Sequence, residues 1–382
     1  MESADVVVIG SGLVGAAIAF ELSRSIGKVV VVESGSEVAA GVSRSNSGIL
    51  HTGFDSKPGV FETQMILSQA SRWREIFTRL GIPFRVPGAL MLARNDEEEG
   101  HLEDWARNAA GNGVPVERHD AASIRLLEPN VTAQAGLRVP GEATTDPYEV
   151  VSRLLASGPA VLLNWPVRRV EADGEGALVT GPSGKIRARF VLNCAGLFAD
   201  EIAQEADFRI TARRGEFLAF PAGRPALINN ILLPIPNPYT KGVLVFPTLY
   251  DYLIVGPTAE DQEDKNDWQP RPEALAHLRE RAVEILPALK NVPPVGAWAG
   301  LRPVGHPHNY YVEWSARVPS MMHVAGIRST GLSACLGLSL HVRKSLAARG
   351  LDTGQSVGFP PPLSAREGIP WWHRLNTLRG IQ

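Results

Sequence analysis

Residues 6–15 read Val6-Val7-Val8-Ile9-Gly10-Ser11-Gly12-Leu13-Val14-Gly15, an apolar strand-like run entering a G-x-G-x-x-G turn. Eighteen residues beyond Gly15, Glu33 closes a second apolar run, Val29-Val30-Val31-Val32. The glycine pattern alone is common. With a strand before it, a helix pattern after it and an acid at the end of the next strand, it is a dinucleotide-binding βαβ fingerprint. Gly10 allows the tight turn, Gly12 lets backbone approach a pyrophosphate, and Gly15 lets the helix pack close to the strand. The helix start at Leu13 and Val14 offers N–H groups and a positive dipole end to phosphates. Glu33, followed by Ser34, is placed to accept hydrogen bonds from ribose hydroxyls.

The chain has 382 residues, enough for two domains. Its 38 Lys and Arg against 40 Asp and Glu leave a net charge of −2, which argues against nucleic acid as a partner. The two cysteines, Cys194 and Cys335, form neither a disulfide framework nor a metal-ligand spacing. They predict buried free thiols and a reducing, cytoplasmic setting. Too few residues precede the first strand for a secretory signal. No apolar run is long enough for a transmembrane span, which leaves peripheral contact with a membrane open. His306 and His308 lack a third ligand, so no metal site is expected.

Along the chain, 13–26 reads as a helix, 36–58 as a long polar loop and 59–80 as a helix. Then come a strand at 84–93, an acidic-start helix at 96–111, and a helix at 146–157 that opens on Asp-Pro. Strands are predicted within 161–194 and at 209–220, 243–255, 295–301, 310–314 and 321–325. Helices are predicted at 271–289 and 331–348. The two ends are α/β and the middle is α+β. The predicted fold is a doubly wound α/β domain of discontinuous segments with a strand-rich domain inserted into it.

Four further stretches have chemical potential. Ser43-Arg44-Ser45-Asn46-Ser47-Gly48-Ile49-Leu50-His51 follows the second strand, at the sheet edge where open α/β sheets bind ligands. His51 is a candidate general base or a hydrogen-bonded loop histidine. Asn193-Cys194-Ala195-Gly196 ends a strand in small residues, as a packing turn or a ligand contact. Gly326-Ile327-Arg328-Ser329-Thr330-Gly331-Leu332 is a second strand-to-helix turn, capped helix or anion site. Gly300-Leu301-Arg302-Pro303 carries an arginine suited to a carboxylate or phosphate, or to a surface ion pair.

Together these segments resemble the D-amino-acid-oxidase superfamily of FAD-dependent oxidoreductases, in the branch of L-2-hydroxyglutarate and glycerol-3-phosphate dehydrogenases. The Ser43–His51 loop resembles that branch's loop beside the flavin. Arg213-Arg214-Gly215-Glu216-Phe217 resembles its Arg-x-Gly-Glu-aromatic strand. Residues 242–248 with 256–261 resemble its substrate-domain strand pair, and 326–332 its C-terminal flavin loop. The resemblance implies a Rossmann-type FAD-binding domain over 1–80, 141–206 and 319–355. It also implies an α+β substrate domain over 81–140 and 207–318, and a tail over 356–382.

The cofactor implied is noncovalent FAD, held by Gly10, Gly12, Leu13, Val14, Gly15, Glu33, Ser34, Ser43, Ser45, Asn46, Ser47, Gly48, Val167, Cys194, Ala195, Gly196, Gly300, Gly326, Arg328, Ser329, Thr330, Gly331 and Leu332. His51 and Arg302 are the implied catalytic pair, with Tyr239, Lys241, Arg214 and Arg328 as further substrate contacts. Tyr250-Asp251 and His308-Asn309-Tyr310 depart from the branch's pattern and leave the substrate open.

The implied activity is oxidation of a small anionic alcohol, a 2-hydroxy acid or glycerol 3-phosphate, by hydride transfer to flavin N5. A quinone, an electron-transfer protein and O2 are all compatible acceptors. Two alternatives stand beside this reading: an amine or amino-acid oxidase on the same fold, and a nonenzymatic FAD-binding subunit. For the latter, Trp371-Trp372 in the tail are candidate docking residues.

Overall fold

The computed structural model describes the chain except residues 1, 157, 206, 224–225, 237–241, 355–356, 362–369 and 379–382. The strand Glu2–Ile9 lies at its centre, parallel to Val29–Val32 on one side and to Gly184–Asn193 on the other. Val6, Val7 and Val8 are fully buried because both faces of the sheet are covered, which is why the run is continuously apolar rather than alternating. Val6 and Val8 face the core shared with the helices Leu13–Ser23, Pro147–Leu155 and Gly331–Ala348. Val7 and Ile9 face a second core with Val170, Val179 and Trp165.

This first sheet has eight strands. One path runs Arg169–Asp173, Gly176–Gly181, Gly184–Asn193, Glu2–Ile9, Val29–Val32, Ala160–Leu162. Met321–Ala325 pairs in parallel with the last residues of Gly184–Asn193, and Tyr311–Trp314 pairs antiparallel with Met321–Ala325. Tyr311–Trp314 therefore belongs to this sheet, although the sequence division at 318 puts it with the other unit.

A second, nine-stranded sheet is built round Arg209–Pro221, which pairs with Gly296–His306 from Arg209↔His306 to Ala219↔Gly296. Ile49–Leu50, Ala143–Thr145 and Phe84–Arg85 form a small third sheet.

Several predicted elements are subdivided. The helix at 59–80 is two, Phe61–Ala70 and Trp73–Leu80. The strand at 84–93 breaks at Pro87-Gly88, where Gly88 has φ +73°, into Phe84–Arg85 and Ala89–Ala93. The segment at 243–255 is a hairpin, Leu244–Pro247 and Tyr252–Gly256. The helix at 96–111 breaks at His101, and the one at 271–289 ends at Ile285 ahead of Pro287. Asp146 caps the helix Pro147–Leu155 as its Asp-Pro start implies, accepting from the Tyr148 and Glu149 amides. Both cysteines are free and buried. Among the described residues no helix is long and apolar enough to cross a membrane.

The tail returns to the body of the molecule. Trp371 and Trp372 are 1% and 2% exposed, so they pack on their own chain and offer no docking surface. The Trp371 indole donates to the Asn46 carbonyl at 3.1 Å. Trp372 stacks on Trp298, which stacks on Phe217. Trp371→Ala removes a fully buried aromatic and its hydrogen bond. The expected loss is about 3–5 kcal/mol of stability, read by urea or thermal unfolding. A loss below about 1 kcal/mol would show that the tail is not part of the core.

Candidate functional site

At the edge where Glu2–Ile9 ends, the chain turns sharply through Gly10, which has φ +100°. A Cβ there would lie 2.5 Å from the Cys194 carbonyl oxygen. A Cβ on Gly15 would overlap the Gly10 carbonyl oxygen, which explains the third glycine. Gly12 caps the helix Leu13–Ser23 with no side-chain bond, so the helix start is open as an anion cradle. The Leu13 amide donates to Ser43 Oγ at 2.8 Å, tying the 43–48 loop to that start.

A cavity of about 600 Å³ lies over this edge. Of the implied cofactor residues it is lined by Gly10, Gly12, Leu13, Val14, Glu33, Ser34, Ser43, Asn46, Val167, Cys194, Ala195, Gly196, Gly326, Arg328 and Gly331. Glu33 is already held by the protein. Its Oε2 accepts from the Ser11 amide at 2.8 Å and the Ser11 hydroxyl at 2.6 Å. Its Oε1 accepts from the Gly35 amide at 2.8 Å and, more weakly, from the Ser34 hydroxyl at 3.2 Å.

A second cavity of about 520 Å³ is lined by Ser45, Asn46, Ser47, His51, Gly300, Arg302, Arg328, Ser329 and Thr330. Val42, Asn46 and Arg328 line both cavities, so the two adjoin. Gly15, Gly48, Leu332 and Arg214 are in neither lining. Gly15 and Gly48 are packing glycines: a Cβ on Gly48 would lie 2.5 Å from the Thr145 carbonyl oxygen and 3.2 Å from the Trp371 ring. Leu332 is a core residue, 1% exposed. Tyr239 and Lys241 lie outside the described residues.

His51 Nδ1 is 2.9 Å from Glu142 Oε2. Glu142 is fully buried, and its other oxygen accepts from the Thr52 amide at 2.6 Å and the Thr52 hydroxyl at 2.8 Å. A carboxylate so held can only accept. The neutral imidazole therefore carries its proton on Nδ1 and leaves Nε2 to take up another. Sequence reasoning missed Glu142. It is one of 40 acidic residues and lies 91 positions from His51, with no motif to single it out.

Arg302 lies across the strand Arg209–Pro221, in the space where Gly215 has no side chain. A Cβ on Gly215 would overlap the guanidinium. Its Nη2 donates to the Thr258 carbonyl at 2.7 Å. Burial, then the neighbouring Arg213 charge, pushes its pKa down to about 10, which still leaves it cationic at neutral pH. Arg213 is its cross-strand partner, lines the same cavity and is paired in bidentate fashion with Asp261 at 2.6 and 2.9 Å.

Arg214 was the implied substrate contact, and here the structure differs. Adjacent strand residues point to opposite faces. Arg214 turns away from the cavity, 4% exposed, onto Gln262, Asp267 and the Gln269 carbonyl. Arg328 is 3.6 Å from Glu62. Thr330 joins Tyr310 and Glu62 through its hydroxyl.

Known proteins match most of this chain. The family model described as DAO, FAD dependent oxidoreductase, matches residues 5–344. Glycerol 3-phosphate dehydrogenase of Caloramator mitchellensis is 30% identical over 349 residues, 88% of this chain and 72% of that one. Glycerol 3-phosphate oxidase of Mycoplasma pneumoniae is 29% identical over 356 residues, 87% and 92% of the two chains. L-2-hydroxyglutarate dehydrogenase of Escherichia coli K12 is 27% identical over 269 residues, 67% and 64%. The solved structure of dithionite-reduced L-alpha-glycerophosphate oxidase from Mycoplasma pneumoniae with FAD bound superposes with a TM-score of 0.84. It is 25% identical and covers 94% of this chain and 100% of that one.

The packing of Arg302 over Gly215 can be tested directly. Gly215→Ala should displace the guanidinium and weaken binding of sulfate or phosphate in the second cavity. A lost charge-assisted hydrogen bond, about 1.5–3 kcal/mol, corresponds to roughly ten- to a hundredfold in Kd by calorimetric titration. Unchanged anion affinity would show that Arg302 does not depend on the glycine.

Proposed function

The chain belongs to the FAD dependent oxidoreductase family, and from that premise we propose that it oxidises a small anionic alcohol. The substrate class is a polyol phosphate such as glycerol 3-phosphate, or a 2-hydroxy acid such as L-2-hydroxyglutarate. One observation carries the reading. His51, held from behind by the buried Glu142, and the cation Arg302 line a single cavity, and that cavity adjoins the one at the dinucleotide fingerprint. The names of the relatives above agree with it.

The residues fit noncovalent FAD. Gly10 and Gly12 leave backbone bare at the helix start, as a pyrophosphate requires. Glu33 is fixed by Ser11 and Gly35, and its weak bond to Ser34 is the one a ribose hydroxyl would replace. When bound, FAD supplies the acceptor for the two electrons that leave the carbinol as hydride. Arg302 holds the anionic end of the substrate and fixes its orientation. His51 Nε2 takes the hydroxyl proton, and Glu142 stabilises the imidazolium that results. The domain division proposed from the sequence is kept on this reading, with Tyr311–Trp314 moved to the FAD-binding unit.

A neutral amine can lose hydride without a base at this position. The amine-oxidase alternative therefore gives the anchored His51–Glu142 pair no role.

The protein is expected to purify with FAD that heat or acid releases intact, and Glu33→Arg to lose it. Under anaerobic conditions a hydroxy acid or polyol phosphate should bleach the flavin, and amino acids should not. His51→Ala and His51→Gln should slow that bleaching by roughly 10²–10⁴-fold, the usual scale for general acid–base catalysis. Glu142→Gln should slow it less, with FAD content retained. Bleaching by amino acids, or a His51→Gln variant as fast as the parent, would reject the alcohol mechanism.

A further inference from the structure

Arg214 points away from the substrate cavity, yet it is almost fully buried and makes hydrogen bonds to one short segment, the end of a strand and the loop that follows it. Its Nη1 donates to the Gln269 carbonyl at 2.8 Å and its Nη2 to the Asp267 carbonyl at 3.1 Å, with further bonds to the Asp267 and Gln262 side chains. Gln262 in turn donates to the Asp267 carbonyl at 3.0 Å. This loop, 263–269, leaves the second sheet after the strand Glu260–Gln262. It reaches the first unit, where Asn266 and Trp268 line the dinucleotide cavity.

Its outer end is fastened too. Lys265 Nζ lies 2.7 and 3.0 Å from the two oxygens of Asp200, on the helix that follows the Cys194–Gly196 turn. Asp200 also accepts from the Ile210 amide at 2.9 Å. The ammonium and carboxylate are 15% and 14% exposed, so solvent screens this pair less than a surface ion pair.

We propose that residues 263–269 are a strap across the FAD cavity that sets how long the cofactor stays bound. Arg214 is the positioning residue at its base, and Lys265–Asp200 is its clasp. The proposal rests on the first cavity holding FAD. Asn266 and Trp268 of the strap form part of the cavity wall, and on this proposal release of the cofactor requires the strap to lift. Lifting breaks the ion pair and leaves Asp200 without its counter-ion, so the pair adds to the barrier for release.

The test is the dissociation rate of FAD from the holoenzyme, followed as the rise in free-FAD fluorescence after dilution. Lys265→Met should raise the rate by roughly tenfold, equivalent to 1.4 kcal/mol. Lys265→Arg should restore most of it. Added salt should speed release from the parent and have little effect on Lys265→Met. The thermal midpoint of the apoprotein should fall in Lys265→Met, where Asp200 has lost its counter-ion, and recover in Lys265→Arg. Arg214→Met should also speed release, and if it does not fold, the Lys265 pair of variants still decides. A Lys265→Met rate within about twofold of the parent overturns the strap. So does a faster release that Lys265→Arg does not rescue. A parent protein that binds no FAD overturns the cofactor reading itself, a result distinct from unchanged release.

Discussion

The site exists because three parallel strands stop at the same level. The Gly10 amide donates to the Val32 carbonyl at 2.8 Å, and the Cys194 amide to the Ile9 carbonyl at 2.9 Å. Met321–Ala325 pairs beside Asn193 and ends at Gly326. The turn after Ile9 and the turn after Asn193 meet so closely that no side chain fits on Gly10. Backbone rather than side chain forms the cavity floor, which suits a diphosphate that seeks N–H donors. Every other feature of the site is arranged round this edge.

The second sheet adds charge to that edge. Gly215 and Gly300 face each other across the strands Arg209–Pro221 and Gly296–His306. The first makes room for the Arg302 guanidinium, and the second for Ser45 of the 43–48 loop. Arg213 and Arg302 are cross-strand neighbours of like charge, an arrangement that costs stability in an ordinary sheet. Asp261 compensates Arg213, and Glu216 favours the charge on Arg302. Among the described residues Arg302 has no ion-paired carboxylate and donates to the Thr258 carbonyl, so its charge is suited to an anion in the cavity.

One departure from the family pattern, Tyr250, is a structural joint. Tyr250, at the tip of a second-sheet hairpin, donates to Asp146 at 2.6 Å. Asp146 caps a helix of the first layer, and burial raises its pKa to about 6. The Tyr250 ring also packs near Trp371 and Trp372. One tyrosine thus ties the hairpin and the helix cap to the C-terminal helix Trp371–Leu378, which lies beyond the residues the family model matches.

The dinucleotide edge was legible in the sequence because its signals are local. A glycine spacing, an apolar run and an acid at the next strand end are short-range, and the backbone conformations they demand do not depend on distant residues. Asp146 announced its cap for the same reason. What could not be read is what long-range pairing decides. The strand register fixed that Arg213 faces the cavity and Arg214 faces away, since a shift of one residue reverses a strand's faces. Glu142 reaches His51 only through the small sheet that joins residues 49–50 to 143–145. Trp371 finds Asn46 across 325 positions. The sequence alone determined the cofactor class and located the glycine-rich sheet edge. Tertiary structure decided which charged side chains face that edge, because side-chain direction follows from strand pairing, and strand pairing is settled only when the whole sheet forms.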